Sequence, residues 1–495
     1  MSPTPKRMLT SLDDIKRYFA ESDIPYYFIS PTNFNLMGMH DWVKGWQNIN
    51  LLNCFEGGHP QVVIVDDDYS RVFENIEEIN AYLLSSQKVR DLFAKQKHRG
   101  RAIFLFFDEA VEALCETLPI DIMLPKFSLV HEIDSKIVTT QIGNQAGVSS
   151  VPNALTKVSS YVNLQQIASK AGLGERWVVQ TSHGDSGKTT YFIASEADYQ
   201  AVAAKIEAEE MVKVMRWINC TGTAIEACAT RWGTVVGPLL TELIGVESLT
   251  AYPGGWCGNE LYADAFSVDI RRQIQRMTQA IGDVLYQRGY RGYFELDYLI
   301  DMDTNELYLG ELNARITGIS AMTNMSDFSV KHIPLFLFHL LEYDPEVDLN
   351  LDIDAFNQAV LAAGAAGTAS QVILNYTEEQ MKILIEAPVS GVYKLSAAGH
   401  LTLKQSGYNR REALAEDEAY LLQIMPVDDY AYRGADLSIM FMNCRIRGPQ
   451  GELNSAGERW VSALKGLYQY RQLNQEEQAL VNCTPNPANA KCQQE

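Results

Sequence analysis

GYRGYFELDYLIDMDTNELYLGELNARITG, residues 289–318, is the stretch whose reading decides the fold. Two runs of period-two alternation flank a polar turn. In the first, Phe294, Leu296, Tyr298 and Ile300 share one face and leave Glu295 and Asp297 on the other. In the second, Leu307, Leu309, Glu311, Asn313 and Arg315 share a face. A hairpin turning near Thr304 sets Asp297 opposite Glu311. Directly opposed side chains lie roughly 5 Å apart, and like charges there repel. A divalent cation relieves that repulsion, and magnesium takes one or two carboxylates together with substrate phosphates. Asn313 adds a neutral oxygen and Arg315 a planar positive fork for an anion. The hairpin thus reads as a holder for magnesium and a phosphorylated ligand. The competing reading is a pair of acids on a solvated face.

The helix that delivers the chain to this hairpin is predicted over 267–288, with Ile270, Ile274, Met277, Ile281, Val284 and Leu285 on one face and Gly289 at its end. Further upstream, 134–151 reads as a helix capped by Asp134, with Lys136 in its first turn and Gly147 past its end. A cation in a first turn opposes the macrodipole, which points Lys136 at an anion or a surface salt bridge. Residues 176–193 read as strand, loop and strand. In the loop SHGDSGK, the glycines and small hydroxyl residues let backbone N–H groups approach phosphate oxygens, and Lys188 supplies charge; a plain hairpin loop reads equally well. It is no P-loop, because a strand and not a helix follows.

An acidic helix (196–210) precedes the apolar run 211–218, whose main chain can pair with an adenine edge while Val214 and Met215 pack its faces. Glu226 lies on an otherwise apolar strand, where an unpaired acid is costly. The glycine-rich segment 251–260 suits a flap, or only a turn. Residues 331–347 read as a largely buried helix, and an acidic boundary falls near 351. Residues 370–447 are β-rich, 458–473 forms a closing helix, and the tail beyond Asn474 is predicted to be disordered.

Residues 1–130 alternate helix-like and strand-like pieces. Ser11 caps a first helix, YYFI (26–29), VVIV (62–65) and AIFLFF (102–107) are strands, and 74–97 is mostly helical. The aromatic- and amide-rich segment 31–50 reads as a packed irregular stretch or a binding loop. No G-x-G-x-x-G follows the first strand, so no dinucleotide fingerprint is present.

At 495 residues the chain exceeds one core, and about three domains are expected. Apolar residues make up 46% and charged residues 21%, which is ordinary for a globular protein. No run approaches the roughly 18 apolar residues of a membrane span, and the N-terminus lacks the apolar block of a secretory signal. The formal net charge of −21 argues against nucleic acid and anionic membranes as partners. Eight cysteines, at 54, 115, 220, 228, 257, 444, 483 and 492, form no CxxC pair and no zinc pattern, and read as reduced thiols of a cytoplasmic protein. Cys483 and Cys492 could pair only under oxidation.

The order of these parts resembles an ATP-grasp enzyme: an Asp-x-Lys helix start, a strand–Gly-rich loop–strand, a linker strand, a helix, and a hairpin ending GELNARITG. The resemblance covers about 130–345, and the further β-rich region is similar to the branch containing biotin carboxylase and the carboxylate–amine ligases. It implies an α/β fold of α+β lobes: an N-terminal α/β domain (1–130), an ATP-grasp domain (131–347) with a small lid lobe at about 150–210, and a β-rich C-terminal domain (355–473) before the tail (474–495). It implies ATP with magnesium, or manganese in its place. Asp297 and Glu311 would hold the metal with Asn313 assisting, Glu295 being an alternative first acid, and Arg315 would stabilise an acyl phosphate. Lys136 would reach the phosphates. The loop with His183, Gly184, Ser186, Gly187 and Lys188 would cover them. Lys213 and Met215 would give main-chain contacts to adenine, with Glu226 near the nucleotide.

Two positions depart from the resemblance. The strand before the loop usually ends in a phosphate-binding lysine, and here it ends in Gln180. The linker reads Val212-Lys213 where biotin carboxylases carry a Glu-Lys pair. Both point to an ADP-forming ligase joining a small carboxylate to an amine. The alternatives are a biotin carboxylase-like enzyme and a non-catalytic ATP-binding protein. The segments 31–50 and 251–260 and Arg433 are candidate substrate contacts. A homodimer is the base-rate expectation.

Overall fold

Short strand-forming runs, interspersed with helices and turns, dictate the first unit. In the computed structural model, which describes residues 6–56, 58–65, 73–184, 189–363, 367–413 and 415–483, these runs form a parallel sheet. Its order is Val62–Ile64, Trp46–Asn50, Tyr26–Ile29, Gly100–Phe104, Ile120–Ile122. Ser11 caps helix Leu12–Glu21 as expected, its Oγ accepting from the Asp14 N–H. The helical stretch read over 74–97 is broken at Ser86 into Ile76–Ser85 and Gln87–Ala94. Segment 31–50 is packed: two short 3-10 turns lead into a buried strand, Trp46–Asn50, that its amides hid.

A buried ion pair ties this unit to the rest. The Arg101 guanidinium lies 2.9 Å from the Asp344 carboxylate, which also accepts from Tyr18 at 2.5 Å, while Arg101 donates to the Tyr26 hydroxyl at 2.8 Å. The edge strand Arg7–Leu9 pairs in parallel with Val347–Leu349 beside it.

The second unit is a ten-stranded antiparallel sheet that begins with the 289–318 hairpin. Its order is Leu307–Asn313, Gly292–Asp301, Cys220–Thr230, Gly233–Ile244, Trp256–Leu261, Ala369–Asn375, Asp436–Met442, Glu418–Gln423, Gly391–Leu395, Leu401–Ser406. The sheet therefore runs uninterrupted across the region near 351. Helix Val268–Gln287, capped by Ser267, packs Ile274, Ile281, Val284 and Leu285 against it. Helix Ile353–Ala363 is fastened to the same sheet by Asn357, which accepts from the Val236 N–H and donates to the Thr234 carbonyl.

A third, four-stranded antiparallel sheet (Asn153–Thr156, Val212–Arg216, Trp177–Gln180, Thr190–Ile193) carries helices Tyr161–Ala171 and Glu196–Glu207. Its own core, with Leu164, Trp177, Tyr199 and Val214, is separate from that of the large sheet.

Several element boundaries differ from the reading of the sequence. The helix expected over 331–347 starts only at Phe336, because Pro334 interrupts the backbone hydrogen bonding. The closing helix ends at Lys465, and Gln469–Gln472 turns back as a strand on Lys382–Glu386. Part of the expected tail is ordered: Gln475–Cys483 is a helix whose Glu477 bridges to Arg471 at 2.6 Å. Residues 484–495, including Cys492, lie outside the described residues, as does the Cys483 side chain. Among the described residues no helix is long and apolar enough to cross a membrane.

Candidate active site

The predicted hairpin forms with the predicted register. Asp297 stands opposite Glu311 and Glu295 opposite Asn313, with a bulge between Asp297 and Tyr298. Asp301 closes the turn by accepting from the N–H groups of Asp303 and Thr304, and Asn305 takes the left-handed conformation at φ 59°. At roughly 5 Å and an effective dielectric near 20, two carboxylates repel by about 3 kcal/mol.

That repulsion is partly met by one lysine. Lys136 Nζ lies 2.5 Å from Glu311 Oε1 and donates to the Gly184 carbonyl at 2.7 Å. The Lys136 N–H also donates to the Ser182 carbonyl at 2.8 Å. Helix Lys136–Gln145 therefore begins where the loop of the small sheet meets the acid pair. Its cap is Ser135, not Asp134. The Asp134 carboxylate instead sits 3.8 Å from Arg315 Nε. Arg315 also stacks over Phe106, 4.7 Å from the ring centre, and donates to Asn313 Oδ1 at 2.9 Å. Asn313 passes the contact on, donating to Glu295 at 2.6 Å. As placed, Asn313 links Arg315 to Glu295.

More acid gathers than the hairpin alone supplies. Burial and the Glu311 charge push Asp297 up to about 6. Burial and Asp297, to which it hydrogen-bonds, hold Glu295 well above the usual carboxylate range. Glu242, from strand Gly233–Ile244, is raised by burial and by the charges of Asp297 and Glu311. Arg447 offsets it in part. This arginine reaches in from the C-terminal strands, its Nε donating to the Glu242 carbonyl at 3.0 Å and its Nη2 to Thr221 at 2.9 Å. Glu242 is a lone acid in an apolar strand, the same signal that singled out Glu226, yet only Glu226 was chosen from sequence.

Glu226 belongs to the interior. It is fully buried, and its two carboxylate oxygens accept from Tyr293 at 2.6 Å and Ser320 at 2.5 Å. Burial raises it to about 7. Its oxygens are spent on joining the sheet to helix Ser320–Met325, not on a nucleotide.

The linker strand is also corrected. Val212–Arg216 lies between two neighbours, with Lys213 paired to Leu155 on one side and Gln180 on the other. Its main chain is committed to the sheet, so Lys213 and Met215 offer no free backbone edge to adenine. Met215 packs with Val151, Val178 and Tyr308 where the small sheet abuts the hairpin. The Lys213 side chain is 1% exposed. Burial, helped by Lys136 and opposed by Glu311, lowers it to about 8. Gln180 donates to Thr190 at 3.1 Å, and its Oε1 is buried with no partner. His183 stacks on His131 with ring centres 4.5 Å apart. Ser186, Gly187 and Lys188 lie outside the described residues.

Two candidate substrate contacts are placed as follows. Residues 256–261 of the expected flap are a strand inside the large sheet; a Cβ on Gly258 would meet the Gln371 carbonyl at 2.2 Å, so this glycine serves close strand approach. Arg433 is taken at the surface by Glu379 at 2.6 Å and the Ala251 carbonyl at 2.8 Å.

Among the described residues no group of three or more His, Cys, Asp or Glu side chains forms a metal cage by itself. The opposed pair still fits magnesium, which is usually bound by one or two carboxylates and completed by substrate phosphates.

A small antiparallel sheet closing over a large sheet, with paired acids on a terminal hairpin between them, defines the ATP-grasp fold, and this chain has it. No family model and no curated protein matches the sequence. Among solved structures, the chain is similar to the biotin carboxylase domain of Hydrogenobacter thermophilus 2-oxoglutarate carboxylase, a complex with MgADP, ADP and bicarbonate. There the TM-score is 0.57 at 11% identity, over 94% of this chain and 95% of that one. It is similar also to Thermotoga maritima phosphoribosylamine–glycine ligase, with TM-score 0.54 and 10% identity over 90% and 98% of the two chains. A third similar structure is carboxyaminoimidazole ribonucleotide synthase from Aspergillus clavatus bound to ATP, with TM-score 0.52 and 10% identity over 90% and 99%. At such identities the likeness is one of fold.

Proposed function

We propose that the protein is an ATP-dependent ligase that joins a carboxylate to an amine through an acyl phosphate, releasing ADP and phosphate. The observation that carries this reading is the Asp297–Glu311 pair, partly buried, with Lys136 on one side and Arg315 on the other. Asp297 and Glu311 would hold magnesium, which supplies charge neutralisation to the phosphates. Arg315, fixed by Asn313, Asp134 and Phe106, is preorganised to stabilise the negative charge of the transferring phosphoryl group and of the acyl phosphate. Lys136 orients the phosphates once Glu311 is otherwise occupied. The small sheet beside the acid pair would keep water from the activated acyl group.

What favours the ligase over the carboxylase is the pair of departures at Gln180 and Val212-Lys213; the site itself adds a surplus of carboxylates. Glu242, Glu295 and Asp297 are held above the usual carboxylate range by burial and by neighbouring carboxylate charge, that of Glu311 included. Such a field draws a divalent cation. For the carboxylate substrate, the wall is segment 31–50. Asn35 donates to the Thr317 carbonyl at 2.8 Å, and Asn33 Oδ1, Thr317 Oγ1 and the Asn324 amide are buried with no hydrogen-bond partner among the described residues.

The test is a coupled ADP-release screen over carboxylates and amines, with bicarbonate plus biotin as a separate arm. Amine-dependent release supports the ligase. Release that needs bicarbonate and biotin and no amine replaces it with the carboxylase. ATP binding with no release across the panel replaces it with a non-catalytic nucleotide-binding protein.

A further inference from the structure

Lys213 is a full-length lysine sealed into a protein interior, and nothing nearby uses it. Its main chain is spent on strands on both sides. Its side chain is 1% exposed. Among the described residues its Nζ makes no hydrogen bond and no ion pair: the neighbouring carboxylate, Glu311, is contacted by Lys136, which also holds the Gly184 carbonyl. A buried ammonium without an acceptor is costly, so it persists only where something else supplies the acceptor.

Geometry says what that acceptor is. Lys213 stands directly opposite Gln180 in the pairing of Val212–Arg216 with Trp177–Gln180. Opposed residues on antiparallel strands project to the same side. On that side Gln180 Oε1 is likewise buried and unpartnered. Lys136 adds a second ammonium to the same neighbourhood, close enough to disfavour the charge on Lys213. Two lysines with one contacted carboxylate between them leave a surplus of positive charge. It faces the hairpin whose acids leave a surplus of negative charge. A chain of phosphates, with a divalent cation on its far side, satisfies both.

We propose that Lys213 grips the polyphosphate of the bound nucleotide, the charge absent at position 180 being supplied from the adjacent strand. This rests on the ATP reading above. Three ammonium donors on a flexible stem suit terminal phosphate oxygens, which Gln180 alone cannot neutralise.

The experiment is titration calorimetry of MgADP, inorganic tripolyphosphate and adenosine on the full chain, the Lys213→Gln variant and the double exchange Gln180→Lys/Lys213→Gln. Lys213→Gln is expected to lose about 100-fold in affinity for MgADP and tripolyphosphate, to bind adenosine as the parent does, and to melt no lower than the parent. The double exchange is expected to recover at least about tenfold, since the two side chains share a face. Unchanged MgADP and tripolyphosphate affinity in Lys213→Gln overturns the proposal. So does an equal loss of adenosine, which marks a merely structural lysine. If the parent binds tripolyphosphate but not MgADP, the nucleotide reading fails, and Lys213 is judged on tripolyphosphate alone. If the parent binds neither, both readings fall.

Discussion

Two buried ionic clusters in this molecule are built on opposite terms. Around Arg101 and Asp344, every charge has its counterpart. The guanidinium holds the carboxylate below the usual range, Tyr18 and Tyr26 complete the hydrogen bonds, and the Asp344 side chain is fully enclosed. Around Asp297 and Glu311 the account is left open. Three of the four carboxylates are pushed upward, and one lysine contacts the fourth. The first cluster fastens the N-terminal sheet to the chain near 344. The second stores unmatched charge where two sheets face. The difference teaches that buried charge alone does not mark a site; imbalance does.

That contrast can be broken by single substitutions. The largest effect is expected at the unmatched cluster. Glu311→Gln or Asp297→Asn should lower ATP turnover by about a thousandfold or more, and Asp297→Asn should also raise the melting temperature, because a like-charge repulsion is removed. Normal ADP release from both variants would remove the metal assignment. Arg315→Ala should lose amide formation more severely than nucleotide binding, and equal activity to the parent would take Arg315 out of the mechanism.

Asp344→Asn should do the reverse. Losing half of a matched buried pair costs about 3–5 kcal/mol of stability in urea unfolding. The pH dependence has a definite sign. A carboxylate held below its unfolded value stabilises the fold above pH 4 and loses that contribution as pH falls through its folded value. A parent protein whose stability is flat from pH 5 down to 2 would deny Asp344 this role.

The smallest effect sharpens the comparison from a third buried acid. Glu226 is satisfied by hydroxyls but faces no cation, and its folded value of about 7 lies above the unfolded 4.5. The unfolded chain therefore releases this proton first, and the fold loses stability as pH rises from about 5 to 7, by on the order of 3 kcal/mol. Glu226→Gln should lack that slope and match the parent most closely near pH 5. A parallel pH profile for the two proteins would show that Glu226 is ionised throughout.

How much of this was legible follows from what strands and sheets encode locally. The hairpin register could be read because period-two alternation and a polar turn together set Asp297 opposite Glu311, and Ser11 announced its helix by capping chemistry. Lys213 is legible as a strand residue, but not that its strand lies between two others. Whether a strand lies at an edge or between neighbours is decided by residues far away, here 153–156 and 177–180. Glu242 enters the acid cluster only once Cys220–Thr230 is inserted between its strand and the hairpin. Segment 251–260 could be read as a flap or a turn because glycine serves mobility and close packing alike, and only the neighbouring strand Ala369–Asn375 shows that Gly258 serves packing.

The unbroken ten-stranded sheet also bears on how the protein can be shortened. A truncation after residue 350, attractive because the hairpin, its helix and the small sheet all precede it, would strip Ala369–Asn375 from Trp256–Leu261. That would bare a row of unpaired amides in the middle of a hydrophobic layer. Exposed edges of this kind recruit other chains, so such a fragment is expected to precipitate rather than serve as a minimal enzyme.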